Sequence, residues 1–358
     1  CWIAAGAVVL SGGLLFRMGW KVRLELTGTD IAVFFYLLYG GIRFFLDREN
    51  LPLAFLSGWS VLVCVYLLMR NVGNRLLVVW LWLACLMQTV STVGQQMGYW
   101  DGLHAHFHVT GSFWNPSQLG GFIACFLPLI AAEWLERRRS VYYGWTILPM
   151  LYALALSDSR AAWLACAVGV VYVLWPKWGK RIRWGIFIVI CLAGAVLFFY
   201  KPLSAMGRLY VWRICWDMVR DNPLWGGGLD SFARRYMLCQ ADYFHQHPDA
   251  AFGRLATVVT TPYNEFVHVL VELGVVGVVL SLWIFVACFF LNGGEGNRKW
   301  RSVAVAFVVF ACFSYPGTNI ALMAGVVACL GAGRGKIVSR LSLSSKTSSI
   351  SIYLSSLN

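Results

Sequence analysis

Three arginines have sequence neighbours that suggest a chemical role for their positive charge. Arg160 lies in the short polar turn SDSR between two apolar segments, and Arg208 and Arg213 open a long polar segment next to Trp212 and Trp216. A guanidinium forms paired hydrogen bonds with a phosphate, and neighbouring aromatic faces suit a sugar. The three arginines are therefore candidates for binding a phosphorylated ligand. The alternatives are salt bridges to nearby aspartates, contacts to lipid headgroups, and ordinary snorkelling at a membrane interface.

A second polar group follows the same segment, in the sequence TPYNEFVHVLVELG. Asn264, His268 and Glu272 are spaced by four residues and so share one face of a predicted helix. A carboxylate or an imidazole is able to draw a proton from a hydroxyl, which makes Glu265 and His268 the candidate general bases. The phenol of Tyr263, with an ordinary pKa of about 10, is a poor base at neutral pH. The alternative for His268 is a histidine that only packs between helices.

Two further motifs are weaker. His104, His106 and His108 alternate and would share one face of an extended backbone, where they could bind zinc or copper. An interfacial loop rich in histidine and aromatic residues is the alternative, and we expect neither a metal nor a cofactor. The glycine run GGG after Pro223 is not followed by GK[ST], so it predicts a flexible turn and not a nucleotide site.

The composition determines which elements must position these residues. The chain is 59% hydrophobic and 13% charged, with a mean hydropathy of +0.67. These values exclude an ordinary soluble domain and predict an all-α integral membrane protein. The net charge of +13 does not indicate nucleic-acid binding, because the basic residues lie in short loops between apolar segments. Cys215 and Cys239 are the two cysteines of the large polar segment, and a disulfide between them is the less favoured alternative to free thiols.

Apolar runs long enough to cross a bilayer predict about eleven transmembrane helices, and about twelve if one precedes Cys1. The Asn115-Pro116 pair predicts the start of one of them, with Asn115 as its cap. The predicted segments are residues 1–16, 31–46, 53–69, 76–97, 116–134, 142–156, 161–175, 184–200, 263–291, 303–315 and 320–332.

Most lysines and arginines fall in the odd-numbered loops and in the C-terminal tail, which the positive-inside rule places in the cytoplasm. Four regions result: helices one to eight in residues 1–200, a large extracytoplasmic loop in 201–262, helices nine to eleven in 263–332, and a tail in 333–358. The tail is rich in serine and low in complexity, and we expect it to be disordered.

Four sequences with this order and topology resemble the O-antigen ligase and polymerase superfamily of bacterial membrane proteins. They are NPSQLGGFIACFLPL, LSDSRAAWLACAVGV, GRLYVWRICWDMVRDNPLWGGGLDSF and TPYNEFVHVLVELGVVGVV. The resemblance covers roughly residues 111–290, and the first 110 residues match only as generic apolar helices. Members of the superfamily usually have twelve helices with a large loop between the ninth and tenth, which agrees with one helix ahead of Cys1.

The resemblance implies transfer of a glycan from an undecaprenyl diphosphate carrier to an acceptor hydroxyl, such as that of lipid A-core, at the periplasmic face of the inner membrane. It implies that Arg160 and Arg208 hold the diphosphate, with Arg213 as a third candidate, and that no metal takes part. Membrane lipids are the other expected partners. Members usually place a histidine before the loop-exit asparagine, whereas here Tyr263 precedes Asn264.

Other functions are compatible with the same sequence. A polymerase of the superfamily differs in its acceptor only, and the replacement of the histidine leaves an inactive relative open. A transporter or lipid flippase is the non-enzymatic alternative, but it would carry charges near the middle of several helices. Here the charges collect at the outer rim, which favours the ligase-like function.

Overall fold

The computed structural model describes residues 23–47, 53–71, 74–104, 106–136, 141–200, 202–248, 258–291, 297–333, 337–342 and 351–354. Within these ranges the chain forms twelve α-helices. They are α1 (Gly28–Asp47), α2 (Leu53–Asn71), α3 (Asn74–Gln96), α4 (Pro116–Glu136), α5 (Val141–Leu156), α6 (Arg160–Leu174), α7 (Lys180–Tyr200), α8 (Pro202–Asp221), α9 (Ser231–Gln246), α10 (Glu265–Val286), α11 (Arg298–Phe313) and α12 (Ile320–Ala332).

The predicted apolar segments coincide with helices wherever the structure describes them. Each of the ten segments from residue 31 onward corresponds to one helix, and the first segment, residues 1–16, lies outside the described residues. Among the described residues, four helices are long and apolar enough to cross a membrane by length and composition: Gly28–Asp47, Leu76–Gln96, Pro116–Glu136 and Glu265–Phe289. The helical membrane fold is thereby confirmed, while the total of eleven or twelve spans stays a prediction.

Helix α4 lies at the centre of the bundle and packs against α5, α6 and α11. Its Phe126 is fully buried, and the Phe122 ring meets it edge-on at 4.9 Å between centroids. Glycines on the facing surfaces make room for these rings, since a Cβ on Gly325 would overlap Phe126 and one on Gly121 would overlap Phe310. Small residues opposite large ones let membrane helices approach closely, where lipid offers no hydrophobic driving force between them.

The described part of the large polar segment, residues 202–248 and 258–262, is folded, and its helices pack on α10. Helix α8 ends at Asp221, and α9 follows after a short turn. Tyr210 and Ile214 from α8, Phe232 and Tyr236 from α9, and Val271 from α10 form one buried cluster. Cys215 and Cys239 are both free thiols, so the alternative of a disulfide is not observed. The extracytoplasmic location of this segment stays a prediction.

Three short strands form a sheet in which β1 (Arg23–Thr27), β2 (Ile337–Ser342) and β3 (Ser351–Leu354) are antiparallel neighbours. Strands β2 and β3 belong to the serine-rich tail, whose disorder stays a prediction. Isoleucine, valine and tyrosine between the serines favour strands, and pairing with β1 satisfies the backbone groups that a free tail would leave to water.

Candidate active site

The candidate site begins where three helix ends meet. Asn115 caps α4 by accepting a hydrogen bond from Ser117 N at 2.8 Å, as predicted. The Ser117 hydroxyl then lies 3.3 Å from Ser159 Oγ, at the start of α6, and 3.2 Å from Ser314 Oγ, at the end of α11. Ser159 and Ser314 are buried. These hydroxyls join the polar turns before α4 and α6 to a third turn that the sequence did not single out.

Arg160 and Arg208 come together beside these helix ends. Arg160 is the first residue of α6, and its Nη2 donates to Ser204 Oγ at 3.2 Å in the first turn of α8. Arg208, one turn further along α8, donates from Nη1 to the Phe313 carbonyl at 2.6 Å. Burial lowers the pKa of the Arg208 guanidinium, and the positive charge of Arg160 lowers it further. The structure therefore concentrates two positive charges at one place, as an anion site requires.

Arg213, the third predicted arginine, stands apart from this pair. Five residues separate it from Arg208, which places it about 140° away around α8. Its side chain is 46% exposed, and Nη1 lies 3.3 Å from Asp217 Oδ1. Asp217 also pairs with Arg220 at 3.5 Å. Arg213 therefore belongs to an exposed charge network on the other face of the helix.

The loop exit at Tyr263 is fastened to α8. The Trp212 ring donates from Nε1 to the Pro262 carbonyl at 2.8 Å, and the Tyr263 ring centroid lies 5.6 Å from the Arg208 guanidinium carbon. Tyr315 meets Tyr263 edge-on at 5.7 Å. The backbone of Tyr263 has a φ of 55°, which is strained for a bulky aromatic residue and is characteristic of functional sites.

The predicted polar face of α10 is formed, and His268 is its centre. Asn264 caps the helix by accepting from Phe266 N at 2.9 Å. His268 Nε2 lies 3.2 Å from Glu272 Oε1, and its Nδ1 lies 3.6 Å from Glu265 Oε1. Glu265 Oε2 accepts from Gly317 N at 3.1 Å, in the turn between α11 and α12. We call Glu265, His268 and Glu272 the polar stripe.

Asp230 is an additional charged residue near the stripe that the sequence reasoning missed. It precedes α9 with a φ of 60°, and Phe232 two residues later packs edge-on against His268 at 5.9 Å. Burial raises the pKa of the Asp230 carboxyl, and the negative charge of Glu272 raises it further. The available signal was its place directly after the glycine run, in the sequence GGGLDSF.

Two of the three alternating histidines, His104 and His106, belong to an aromatic cluster. The His104 ring lies 5.2 Å from Phe107 and 5.6 Å from Trp114, measured between centroids. The described residues contain no group of three histidine, cysteine or carboxylate side chains able to hold a metal ion. The contacts of His104 thus favour the alternative of an interfacial aromatic loop.

Part of the chain that contains this site is similar to a known protein family. Residues 145–282 match the family described as O-Antigen ligase. This match supports the resemblance to the O-antigen ligase superfamily over about two fifths of the chain. The matched range includes both paired arginines, the loop exit and the whole polar stripe. The apolar helices and this match together indicate a multi-pass membrane protein.

Two curated relatives carry provisional names as polysaccharide ligases. The protein from Rickettsia conorii is 23% identical over 180 residues, which are 46% of this chain and 41% of that protein. The protein from Rickettsia bellii is 23% identical over 183 residues, which are 46% of this chain and 42% of the relative. The chain thus aligns with about two fifths of the length of each relative.

The O-antigen ligase match leaves out residues that the structure adds to the site. Ser117 precedes the matched range, and Ser314, Tyr315 and Gly317 follow it. They reach the arginines and the stripe because α4 and α11 pack beside the matched helices. The candidate site is therefore completed by residues from both sides of the matched segment.

We expect Asp230→Asn to stabilise the protein at neutral pH. A carboxyl with a raised pKa in the folded state binds its proton more readily there than in the unfolded chain, so its ionisation opposes folding. This cost is absent below the unfolded pKa of about 4 and develops as the pH rises through the folded value. Asparagine also tolerates the left-handed backbone at this position.

The measurement is the melting temperature of both proteins in detergent from pH 4 to pH 8. The variant should gain at most a few degrees at pH 8, and the gain should vanish near pH 4. An equal gain at both ends of the range would contradict an electrostatic origin.

Proposed function

We propose that this protein transfers a glycan from undecaprenyl diphosphate to the hydroxyl of an acceptor such as lipid A-core, at the periplasmic face of the bacterial inner membrane. The observation that carries the proposal is the pairing of Arg160 and Arg208 beside the polar stripe. Tyr263 connects the two groups, because its ring contacts Arg208 and Glu265 follows it by two residues. The match of residues 145–282 to the O-Antigen ligase family supports the same reaction class.

The reaction is a single displacement at the anomeric carbon of the glycan. The acceptor oxygen forms a bond to this carbon as the bond from carbon to the diphosphate oxygen breaks, and the diphosphate leaves with the electron pair. Negative charge therefore grows on the leaving group in the transition state. Two guanidinium groups fixed before the reaction begins stabilise that charge, an effect that usually contributes most to catalysis.

The acceptor hydroxyl must lose its proton in the same step. We assign this role to Glu265, which lies in the first turn of α10, next to the strained loop exit. His268 is enclosed by Glu265, Glu272 and Phe232, so it is placed to orient Glu265 and to share the proton with Glu272. Tyr263 occupies the position of the usual histidine, and its ring packs against the cation of Arg208 instead.

The test is a transfer assay with the purified protein in lipid vesicles. An undecaprenyl diphosphate-linked glycan is supplied as donor and lipid A-core as acceptor, and the products are separated by size. We expect the intact glycan to appear on the acceptor. Lengthened glycan that stays on the carrier would indicate the polymerase instead, and movement of the donor across the membrane with no new bond would contradict an enzyme.

The same distinction is visible in cells. A deletion strain should accumulate unligated lipid-linked polymer if the protein is a ligase, whereas a polymerase defect would leave single repeat units. Expression of the intact chain should reverse the phenotype.

A further inference from the structure

Helix α10 is interrupted inside a segment long enough to span the membrane. Gly274 has φ 66° and ψ −168°, which are not helical, and it separates the polar stripe from the apolar remainder of the helix. An interruption leaves backbone N–H and C=O groups without their helical partners, and such groups are costly in a membrane unless protein satisfies them. The interruption therefore needs a partner from elsewhere in the fold.

The partner is the turn of residues 223–228, which contains the glycine run between α8 and α9. It supplies hydrogen bonds on both sides of Gly274, so it replaces the missing helical turn. Four backbone bonds connect the two segments: Val275 N to Pro223 O at 3.0 Å, Val276 N to Leu224 O at 3.3 Å, Gly227 N to Val271 O at 2.8 Å, and Gly228 N to Glu272 O at 3.0 Å.

The close approach of the turn to α10 explains why Gly226 and Gly274 are glycines. A Cβ on Gly226 would lie 2.5 Å from the carbonyl oxygen of Glu272 and from Gly274 N, and one on Gly274 would overlap the Leu224 carbonyl. Both residues have positive φ, 74° and 66°, which glycine adopts at little cost. The interpretation of the run as a flexible turn was therefore wrong, because the turn is docked against another backbone.

Tyr39 of α1 contacts both the interrupted helix and the turn. Its buried hydroxyl lies 2.8 Å from the Leu273 carbonyl and 3.3 Å from the Trp225 carbonyl, and donates to both. One side chain thus holds the last residue before the interruption and the turn that fills it. Asp47, at the end of the same helix, accepts from Leu229 N at 3.2 Å.

We propose that Tyr39 is a positioning residue for the polar stripe. By holding the turn in the interruption, it sets the orientation of the short helical segment that carries Glu265, His268 and Glu272. The carbonyl of Glu272 is itself bound by the turn, so a shift of the turn moves the side chain that pairs with His268. This inference rests on the proposed role of the stripe in proton transfer.

The kinetic test compares Tyr39→Phe with Tyr152→Phe. Tyr152 lies on α5, where its side chain is 52% exposed. We expect Tyr39→Phe to lower kcat about fivefold, to leave KM for the donor within about twofold, and to change the pH profile of kcat. Tyr152→Phe should leave all three unchanged. Equal effects of both variants, or a change confined to KM, would overturn the proposal.

Hydrogen exchange of the full chain in lipid nanodiscs supplies a readout that does not depend on activity. The amides of Val275, Val276, Gly227 and Gly228 should be protected in the wild type, and Tyr39→Phe should accelerate their exchange about fivefold. Arg160→Ala should leave the exchange pattern unchanged.

The two readouts separate this inference from the proposed function. Wild-type amides that exchange as fast as those of an unstructured turn would overturn the inference, even in an active protein. An inactive protein whose protected amides are loosened by Tyr39→Phe would contradict the proposed function, and it would support the positioning of the stripe.

Discussion

Replacing Arg208 with alanine is expected to lower kcat for glycan transfer about a hundredfold, and Arg160→Ala should have an effect of similar size. The two guanidiniums lie together near the starts of α6 and α8, where the proposed reaction places the negative charge of the leaving diphosphate. Because both act on the same group, the double variant should lose less than the product of the single losses. Lysine at either position should recover part of the rate, since it restores the charge without the paired hydrogen bonds.

The matched control is Arg220→Ala on the same helix. Its side chain is 64% exposed and pairs with Asp217, and an exposed ion pair of this kind contributes at most about 1 kcal/mol. Transfer by this variant should stay within about twofold of the wild type. Near-normal rates for both Arg160→Ala and Arg208→Ala would remove the basis for the diphosphate site.

Glu265→Gln is expected to lower kcat by about a hundredfold with little change in KM for the donor. Glutamine keeps a carbonyl oxygen that accepts from Gly317 N, so the connection to the turn before α12 survives. What it loses is the ability to take up the acceptor proton. His268→Ala should cost less, about tenfold, because it removes the group that orients Glu265 and leaves the base in place.

The measurement is the pH dependence of kcat in the vesicle assay. The wild-type rate should fall toward acid pH as the base is protonated, and this decline should flatten in Glu265→Gln. Glu136→Gln is the control. Glu136 is the last residue of α4, and its side chain is 50% exposed and pairs with Lys299. Unchanged rates in both Glu265→Gln and His268→Ala would show that the acceptor proton leaves by another route.

The proposed site combines residues from helices and turns that lie far apart in the sequence. The helix ends are shaped by Asn115, Asn264 and the serines. In the proposed reaction the arginines supply positive charge, and the polar stripe transfers a proton. The docked turn joins these parts, because it connects α8, which carries Arg208, to the segment that carries Glu265. A shift of α8 or α9 would therefore change the positions of both the proposed donor-binding arginines and the proposed base for the acceptor.

The sequence alone was sufficient for features that depend on neighbours along the chain. The apolar runs predicted ten helices that the structure describes, since a bilayer requires continuous helices of a minimum length. The cap at Asn115 and the end of α8 at Asp221 follow from local turn chemistry. The spacing of Asn264, His268 and Glu272 predicted a common face because helical geometry determines it.

Tertiary structure alone decided which distant segments meet. Nothing near Gly274 indicates that a turn some fifty residues earlier would fill the interruption in its helix, or that Tyr39 of α1 would hold both. Ser314 and Tyr315 joined the site through helix packing, which single-sequence periodicity does not encode. Backbone groups in a membrane must be satisfied by any available partner, and only the assembled fold determines which partner is in reach.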